Sequence, residues 1–206
     1  MNTYIRTGLL VGLLATTGAA NADFSANVGF ASEYYYRGFY QKNSSANAGL
    51  DYDAAGFNVG TWVADVGDGL EVDLFGGYAA DVGSFNLSVG FTGYYYTGDF
   101  DDTYQEINLG AGIGGFSLDV AVGRYDNFDG PTQDYTFASL TYESNGFYGK
   151  YGAFSQDFDG SYFEAGYGTT VAEIDFGISL IFPDSDITGG DSDEAIVFTI
   201  GKAFDL

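Results

Sequence analysis

Apolar and polar residues alternate with a period of two along most of this chain. Phe85, Leu87, Val89 and Phe91 alternate with Asn86, Ser88, Gly90 and Thr92; Phe116, Leu118, Val120 and Val122 alternate with Ser117, Asp119, Ala121 and Gly123. Ile174, Phe176, Ile178 and Leu180 repeat the pattern, and Leu70, Val72 and Leu74 do so around Glu71 and Asp73. Period two marks a β-strand with one apolar face. A soluble sandwich alternates in the same way, so length and the second face must decide. These segments run to about 10–12 residues, whereas sandwich strands are usually ~5–6. Their second face is small and polar, with acids in mid-strand. A tilted strand crossing a bilayer needs ~9–11 residues, apolar outside and polar inside. The pattern predicts an all-β, antiparallel transmembrane barrel.

Turn signals divide the chain into about twelve segments, starting near Phe24, Ser45, Phe57, Leu70, Phe85, Tyr104, Phe116, Tyr135, Phe147, Tyr162, Ile174 and Ala195. An even number suits a bacterial barrel. Short connections at Ala54-Ala55, Val82-Gly83, Gly114-Gly115, Asn145-Gly146 and Ala172 alternate with longer ones at Gly38 to Ser44, Gly98 to Asp102, Asn127 to Pro131 and Pro183 to Asp193; Gly67 to Gly69 is a short exception. Short periplasmic turns and longer outer loops are the expected asymmetry. Phe24, Phe57, Phe85, Phe116 and Phe147 fall at the inner strand ends. Tyr34 to Tyr36, Tyr94 to Tyr96, Tyr125, Phe154 and Tyr162 fall at the outer ends, which predicts two aromatic girdles.

The N-terminus changes the picture from a barrel to an exported barrel. A charged start ending at Arg6 precedes the apolar run Gly8 to Leu14, then Ala20-Asn21-Ala22 offers a small-x-small cleavage site. Residues 1–22 are expected to be a cleaved secretory signal peptide and 23–206 the barrel, placed in the outer membrane of a Gram-negative cell. The apolar run is too short to span a bilayer, which takes ~20 residues. Thr199 to Leu206 closes the chain with the form of a C-terminal insertion signal, so the barrel-assembly machinery is an expected partner alongside outer-membrane lipid. Lys202 breaks the apolar parity of this last strand, and an end position would let it snorkel.

Charge and composition narrow the chemistry. The net charge is −23, with 29 acids against six bases. That surface repels phosphate and attracts cations, so nucleic acid is excluded as an expected partner. Histidine and cysteine are both absent. Ser-His and Cys-His nucleophiles and the common zinc sites are thereby ruled out, no disulfide can form, and no enzymatic activity, metal or cofactor is expected. The acidic stretches GDFDD (98–102), DFDG (157–160) and PDSDITGGDSDE (183–194) lack the fixed spacing of a calcium loop and read as solvated acidic surface.

Parity places the remaining charges inside. Glu33, Glu71, Asp73, Glu106 and Glu164 lie toward the outer strand ends, Asp51, Asp119, Glu143 and Asp175 toward the inner ends, and Arg37 and Lys150 are the bases on the same face. Carboxylate rings favour cations in a pore, and the same groups can equally brace a filled interior. Arg37 is expected to pair with interior carboxylates and narrow the mouth.

Ser32 to Gln41, SEYYYRGFYQ, is similar to the N-terminal motif of the TorF-type porins, matching at Ser32, Tyr34, Arg37, Gly38 and Gln41. Leu70 to Tyr78 and Ile196 to Phe204 resemble that family's acid-alternating central strand and its closing strand, and the likeness runs through the whole mature chain in order. The resemblance implies an outer-membrane barrel with pore activity and no named substrate. The expected function is a porin-like channel passing ions or small solutes, with cations preferred. The alternative is a structural or adhesion barrel without an open pore.

Overall fold

The computed structural model describes residues 22–190 and 194–206; the expected leader lies, but for Ala22, outside the described residues. Twelve strands form one closed antiparallel barrel: β1 (Asp23–Tyr36), β2 (Phe39–Ala54), β3 (Phe57–Gly67), β4 (Gly69–Val82), β5 (Phe85–Tyr96), β6 (Tyr104–Ile113), β7 (Phe116–Tyr125), β8 (Gln133–Ser144), β9 (Phe147–Gln156), β10 (Ser161–Val171), β11 (Ile174–Pro183) and β12 (Ala195–Asp205). Each pairs with its sequence neighbours, and β1 pairs with β12 from Ser25↔Asp205 to Ala31↔Thr199 to close the ring. A single turn of helix, α1 (Ser185–Thr188), interrupts the last loop.

The alternation sorts the faces as the sequence pattern requires. Val28, Leu50, Val59, Leu109, Leu118 and Phe198 all point outward, each about half exposed. Such an apolar band is what acyl chains cover in a membrane barrel. Ionisable side chains among the described residues of this outer face stand near strand ends: Lys42 pairs with Asp65 close to the loop end, and Arg124 lies opposite Asp134. At the end carrying the termini, Lys202 contacts Glu173 at 3.1 Å and covers the Phe204 ring.

Tight two-residue turns close the end that carries the termini. Asn145 and Gly146 both take positive φ (53° and 83°), the turn geometry that matches strand twist and favours Asn-Gly. Beside these turns the phenylalanines expected at the inner ends pair with tyrosines: Phe24 with Tyr52, Phe57 with Tyr78, Phe116 with Tyr142 and Phe147 with Tyr167, their rings 4.6–4.7 Å apart. One aromatic girdle is therefore present as expected.

The second differs. Tyr34, Tyr94, Tyr125, Phe154 and Tyr162 are all buried inside the barrel. They sit at loop-end strand positions, but on interior parity, so they fill the lumen instead of ringing it.

The β1–β2 connection also differs from the expected long loop. Arg37 and Gly38, with φ of 50° and 87°, make a two-residue turn, and β2 begins at Phe39 rather than near Ser45. The polar run Gln41 to Ser44 reads as loop, yet it lies above the apolar band, where both faces of a strand can be polar.

The loop between β11 and β12 folds over the barrel mouth. The Asp184 carboxylate caps α1, accepting from the amides of Asp186 and Ile187, and also accepts from the amide and hydroxyl of Ser161. This buries Ile187 against Gly38 and Gly160. Burial acts to raise the Asp184 carboxyl, but these hydrogen bonds outweigh it and hold the group below its ordinary value. Its contribution is then present above the usual aspartate pKa of ~3.9 and fades as pH falls through the lower folded value. Hydrogen exchange of residues 185–188, normalised to free-peptide rates, should show wild-type protection exceeding that of Asp184→Asn at neutral pH and converging with it in strong acid.

The apolar band yields a second expectation. Leu109→Arg, at mid-strand on the outer face, should cost ~2–4 kcal/mol of folding stability in lipid vesicles, while Gln105→Arg near the loop end should cost ~0–1 kcal/mol. Denaturant titration of vesicle-folded protein measures both, and equal costs would show that the band is misplaced.

Candidate functional site

The interior changes character along the barrel axis. Toward the termini its wall is made of small and polar residues such as Asn27, Asp51, Ser88, Asp119 and Asp175, all half-buried and partly open to water. Toward the loops it is filled. Glu71, Asp73, Thr92, Glu106 and Tyr135 are each no more than 2 % exposed, so water does not reach them.

Glu106 on β6 organises this filled half. Arg37 Nη1 and Nη2 donate to its two oxygens at 2.9 and 2.8 Å. Tyr94 Oη at 2.8 Å, Tyr135 Oη at 2.9 Å and Asn108 Nδ2 at 2.7 Å complete five donors to one carboxylate. Bidentate guanidinium–carboxylate pairs are the strong, geometrically specific kind. The guanidinium also lies over two rings, 4.9 Å from the Tyr36 centroid and 4.4 Å from that of Phe137. The Arg37-Gly38 turn makes this possible, because it aims the arginine inward and down the axis. A Cβ on Gly38 would stand 3.0 Å from both Tyr162 and Ile187, so glycine is also needed for the close packing of the mouth.

A second carboxylate has its own donors. Tyr34 Oη donates to Glu71 at 2.6 Å and Tyr96 Oη at 3.1 Å. Tyr36 Oη donates to Tyr94 Oη at 2.6 Å, and Thr92 Oγ1 to Asn108 Oδ1 at 2.9 Å, so the two networks share one layer. Aromatic rings pack the remaining space. Tyr104 stacks on Tyr125 at 4.3 Å, Phe158 of the β9–β10 loop stacks on Tyr135 at 5.0 Å, and Phe137 meets Phe154 at 4.9 Å. The loop acids serve this cover. Asp101 accepts from the hydroxyls of Tyr104 and Tyr125, Asp102 from the Phe128 amide, and Asp157 from the Asp134 amide.

The charges picked out by parity separate into groups. Glu71, Asp73, Glu106 and Arg37 come together in the filled half. Asp119, Lys150 and Glu164 face one another below it, where Tyr148 Oη donates to Glu164. Lys150 is 3 % exposed, and the charges acting on it include Glu164, Asp119 and Glu143. Asp51 lies near Asn27, Asp175 accepts from Thr170, and Glu143 is exposed at the termini rim.

Glu33 stands apart. Ala31 and Tyr34 are both buried inside although they stand three positions apart; the β1–β2 pairing skips Ser32 and Ser44, Ser44 takes a φ of 53°, and the alternation breaks there so that Glu33 leaves the interior. It lines instead a cleft of about 790 Å³ with Tyr35, Asn43, Ile187 and Glu194, where β1 and β12 part near the loops. Placing aromatics by their height along the strand missed the tyrosines of the filled half. Their run as Tyr34-Tyr35-Tyr36 and Tyr94-Tyr95-Tyr96 was the available signal, since a triple tyrosine must put at least one ring inside.

A family model described as a bacterial protein of unknown function (Gcw_chp) matches residues 15–179. No curated protein matches the sequence. Among solved structures the barrel is similar to the KdgM porin, with 8 % identity, TM-score 0.57, and coverage of 88 % of this chain and 99 % of that one. It is also similar to the NanC porin, at 12 % identity, TM-score 0.51, and 89 % and 100 % coverage. A chain from a study of in-meso crystallisation of membrane proteins gives 11 % identity, TM-score 0.58, and 89 % and 84 % coverage. At these identities the likeness is one of fold.

Removing one partner of a buried ion pair strands the other. Glu106→Ala should therefore destabilise the barrel by ~3–5 kcal/mol in a denaturant titration. The double variant Glu106→Ala with Arg37→Met should recover part of that loss. No recovery would mean that the tyrosine and asparagine donors, not the guanidinium, need the carboxylate.

Proposed function

We propose that this chain, which belongs to the Gcw_chp family of bacterial proteins of unknown function, is an outer-membrane porin-like channel for ions or small solutes, held closed in the present conformation by Arg37 and Glu106. The observation that carries this reading is the inversion of the barrel. Its outside is apolar and its inside is acid-lined, which suits a lipid exterior and a hydrophilic interior. The secretory leader expected over residues 1–22, the closing strand expected to engage the assembly machinery and the resemblance to TorF-type porins all support the same setting.

Twelve strands lie between the eight that side chains fill and the sixteen that leave an aqueous channel. The termini half of this interior admits water and the loop half does not, so passage requires a rearrangement. The Arg37-Gly38 turn is a suitable moving part. It lies at the mouth, it carries the guanidinium that joins β1 to β6 across the lumen, and its movement would free the space that the guanidinium and Tyr36 occupy.

Interior acids outnumber the bases Arg37 and Lys150, which favours cations over anions. A low-dielectric wall strengthens that field, and salt screens it over ~10 Å at 0.1 M. The second reading, a barrel without an open pore, is favoured by the burial of Asp73, Thr92 and Glu106 across the loop half.

Single-channel recording in planar bilayers separates the two. Wild-type protein should show low conductance or brief openings, Arg37→Ala should open more often, and both should reverse on the cation side in a salt gradient near neutral pH. Silence from both proteins would leave the non-conducting reading standing. Anion preference would remove the argument from interior charge.

A further inference from the structure

We infer that the seam between β1 and β12 is a binding site for one cationic amphiphile, with its ammonium head in the acidic cleft near the loops and its alkyl chain in a groove across the outer wall. The cleft exists because the ladder stops early. β1 pairs with β12 only as far as Ala31, although its pairing with β2 continues to Tyr36. Just beyond that point a side chain takes over, and the Phe198 amide donates to Ser32 Oγ at 2.9 Å. Above it the strands part around the cleft of about 790 Å³ that Glu33 and Glu194 line.

The head chemistry follows from this lining. It holds two carboxylates, and no lysine or arginine is among its residues. The bases at neighbouring positions are engaged elsewhere, Arg37 with Glu106 and Lys42 with Asp65. Tyr35 and Tyr40 stand against each other in the same cleft, their ring centroids 5.4 Å apart. Carboxylates attract a cation, and aromatic faces are what quaternary ammonium groups are recognised by. A phosphate or sulfate head would meet like charge there.

The tail chemistry comes from a second cavity. A groove of about 450 Å³ crosses the outer face of β10, β11, β12 and β1. Tyr167, Ile178 and Phe198 form its loop-side bank, and Phe176, Ile200 and Phe30, each row in register, form the other. Thr199 and Gly177, a register pair between the banks, make its floor. Four strands at ~4.8 Å spacing give it a length of ~14 Å. Its β1 end is Ser32, next to Glu33, so groove and cleft meet at one corner. At its far end Tyr167 pairs with Phe147 of the termini girdle, so the groove slants from the loop side into the apolar band. An extended alkyl chain fits such a furrow, and each methylene it buries adds to binding.

This site lies on the outside of the wall and is independent of whether the barrel conducts. Dodecyltrimethylammonium is the probe, added to the barrel folded in dodecyl maltoside and followed by native mass spectrometry. Wild type should take up one equivalent saturably. The double variant Glu33→Gln with Glu194→Gln should weaken uptake by about tenfold, and Ile178→Trp, which fills the groove at its centre, by a similar factor. Heat-modifiable gel migration checks folding, and either variant suffices alone, since each removes one end of the site. Dodecyl sulfate, which has the wrong head, and tetramethylammonium, which has no tail, should not bind at the same concentrations.

Equal uptake by wild type and variants would overturn the site, because the probe would then be reporting its partition into the micelle. Dodecyl sulfate bound as well as the cation would overturn the acidic head cleft. Tetramethylammonium bound as well would overturn the groove, and with either end lost the site as stated fails.

Discussion

The constraint on which this structure rests is that a backbone placed in apolar surroundings must satisfy all of its own N–H and C=O groups. An open sheet cannot do so at its edges, and twelve strands paired only with their neighbours would leave two. Pairing β1 with β12 removes both. Once the ring is closed, period-two alternation has one consequence everywhere: one face of every strand looks outward and the other looks in. The apolar residues take the outer face, so the polar and ionisable ones are carried inside together.

That inversion makes the interior the demanding part of the molecule. In a soluble protein a surplus of carboxylates can face water. Here the strands bring Glu71, Asp73 and Glu106 into a space that the aromatic rings seal from solvent. The chain meets this with donors drawn from across the barrel: tyrosines from β1, β5 and β8, an asparagine from β6 and a single guanidinium from the β1–β2 turn. Each is a long side chain on a rigid strand or a tight turn, so the network spans the lumen and braces opposite walls. Lys150 sits one layer lower, among Asp119 and Glu164, which leaves the upper layer with a single base.

The two halves of the interior follow from side-chain size. Near the termini, interior positions are asparagine, serine, aspartate and glycine, and water enters. Near the loops they are tyrosine, phenylalanine and tryptophan, and it does not. The loops complete the closure, since Ile187 and Phe158 pack into the mouth while Asp101, Asp157 and Asp184 anchor the loop backbones and hydroxyls. A barrel of this kind is a vestibule beneath a cover, and the Arg37-Gly38 turn is the smallest element whose movement would alter both.

Alternation, segment length and turn spacing determined by themselves that this chain is a closed antiparallel barrel, how many strands it has, and that Glu71, Asp73, Glu106, Asp119 and Lys150 face inward, because strand parity is a local property that neighbours in sequence enforce. The aromatic pairs at the termini end were legible for the same reason. The tertiary structure alone decided what those inward groups meet. Which carboxylate takes Arg37 depends on the tilt and stagger of strands 69 residues apart. That Asp73 is left with a free oxygen depends on where five other donors go. Glu33 left the interior because the alternation of β1 breaks between Ala31 and Tyr34, which no turn signal announces. Tyr34, Tyr94, Tyr125 and Tyr162 fill the lumen instead of ringing it because parity, not height along the strand, sets their direction. Pattern fixes the side of the wall on which a residue stands, and only closure of the wall brings distant residues to the same point.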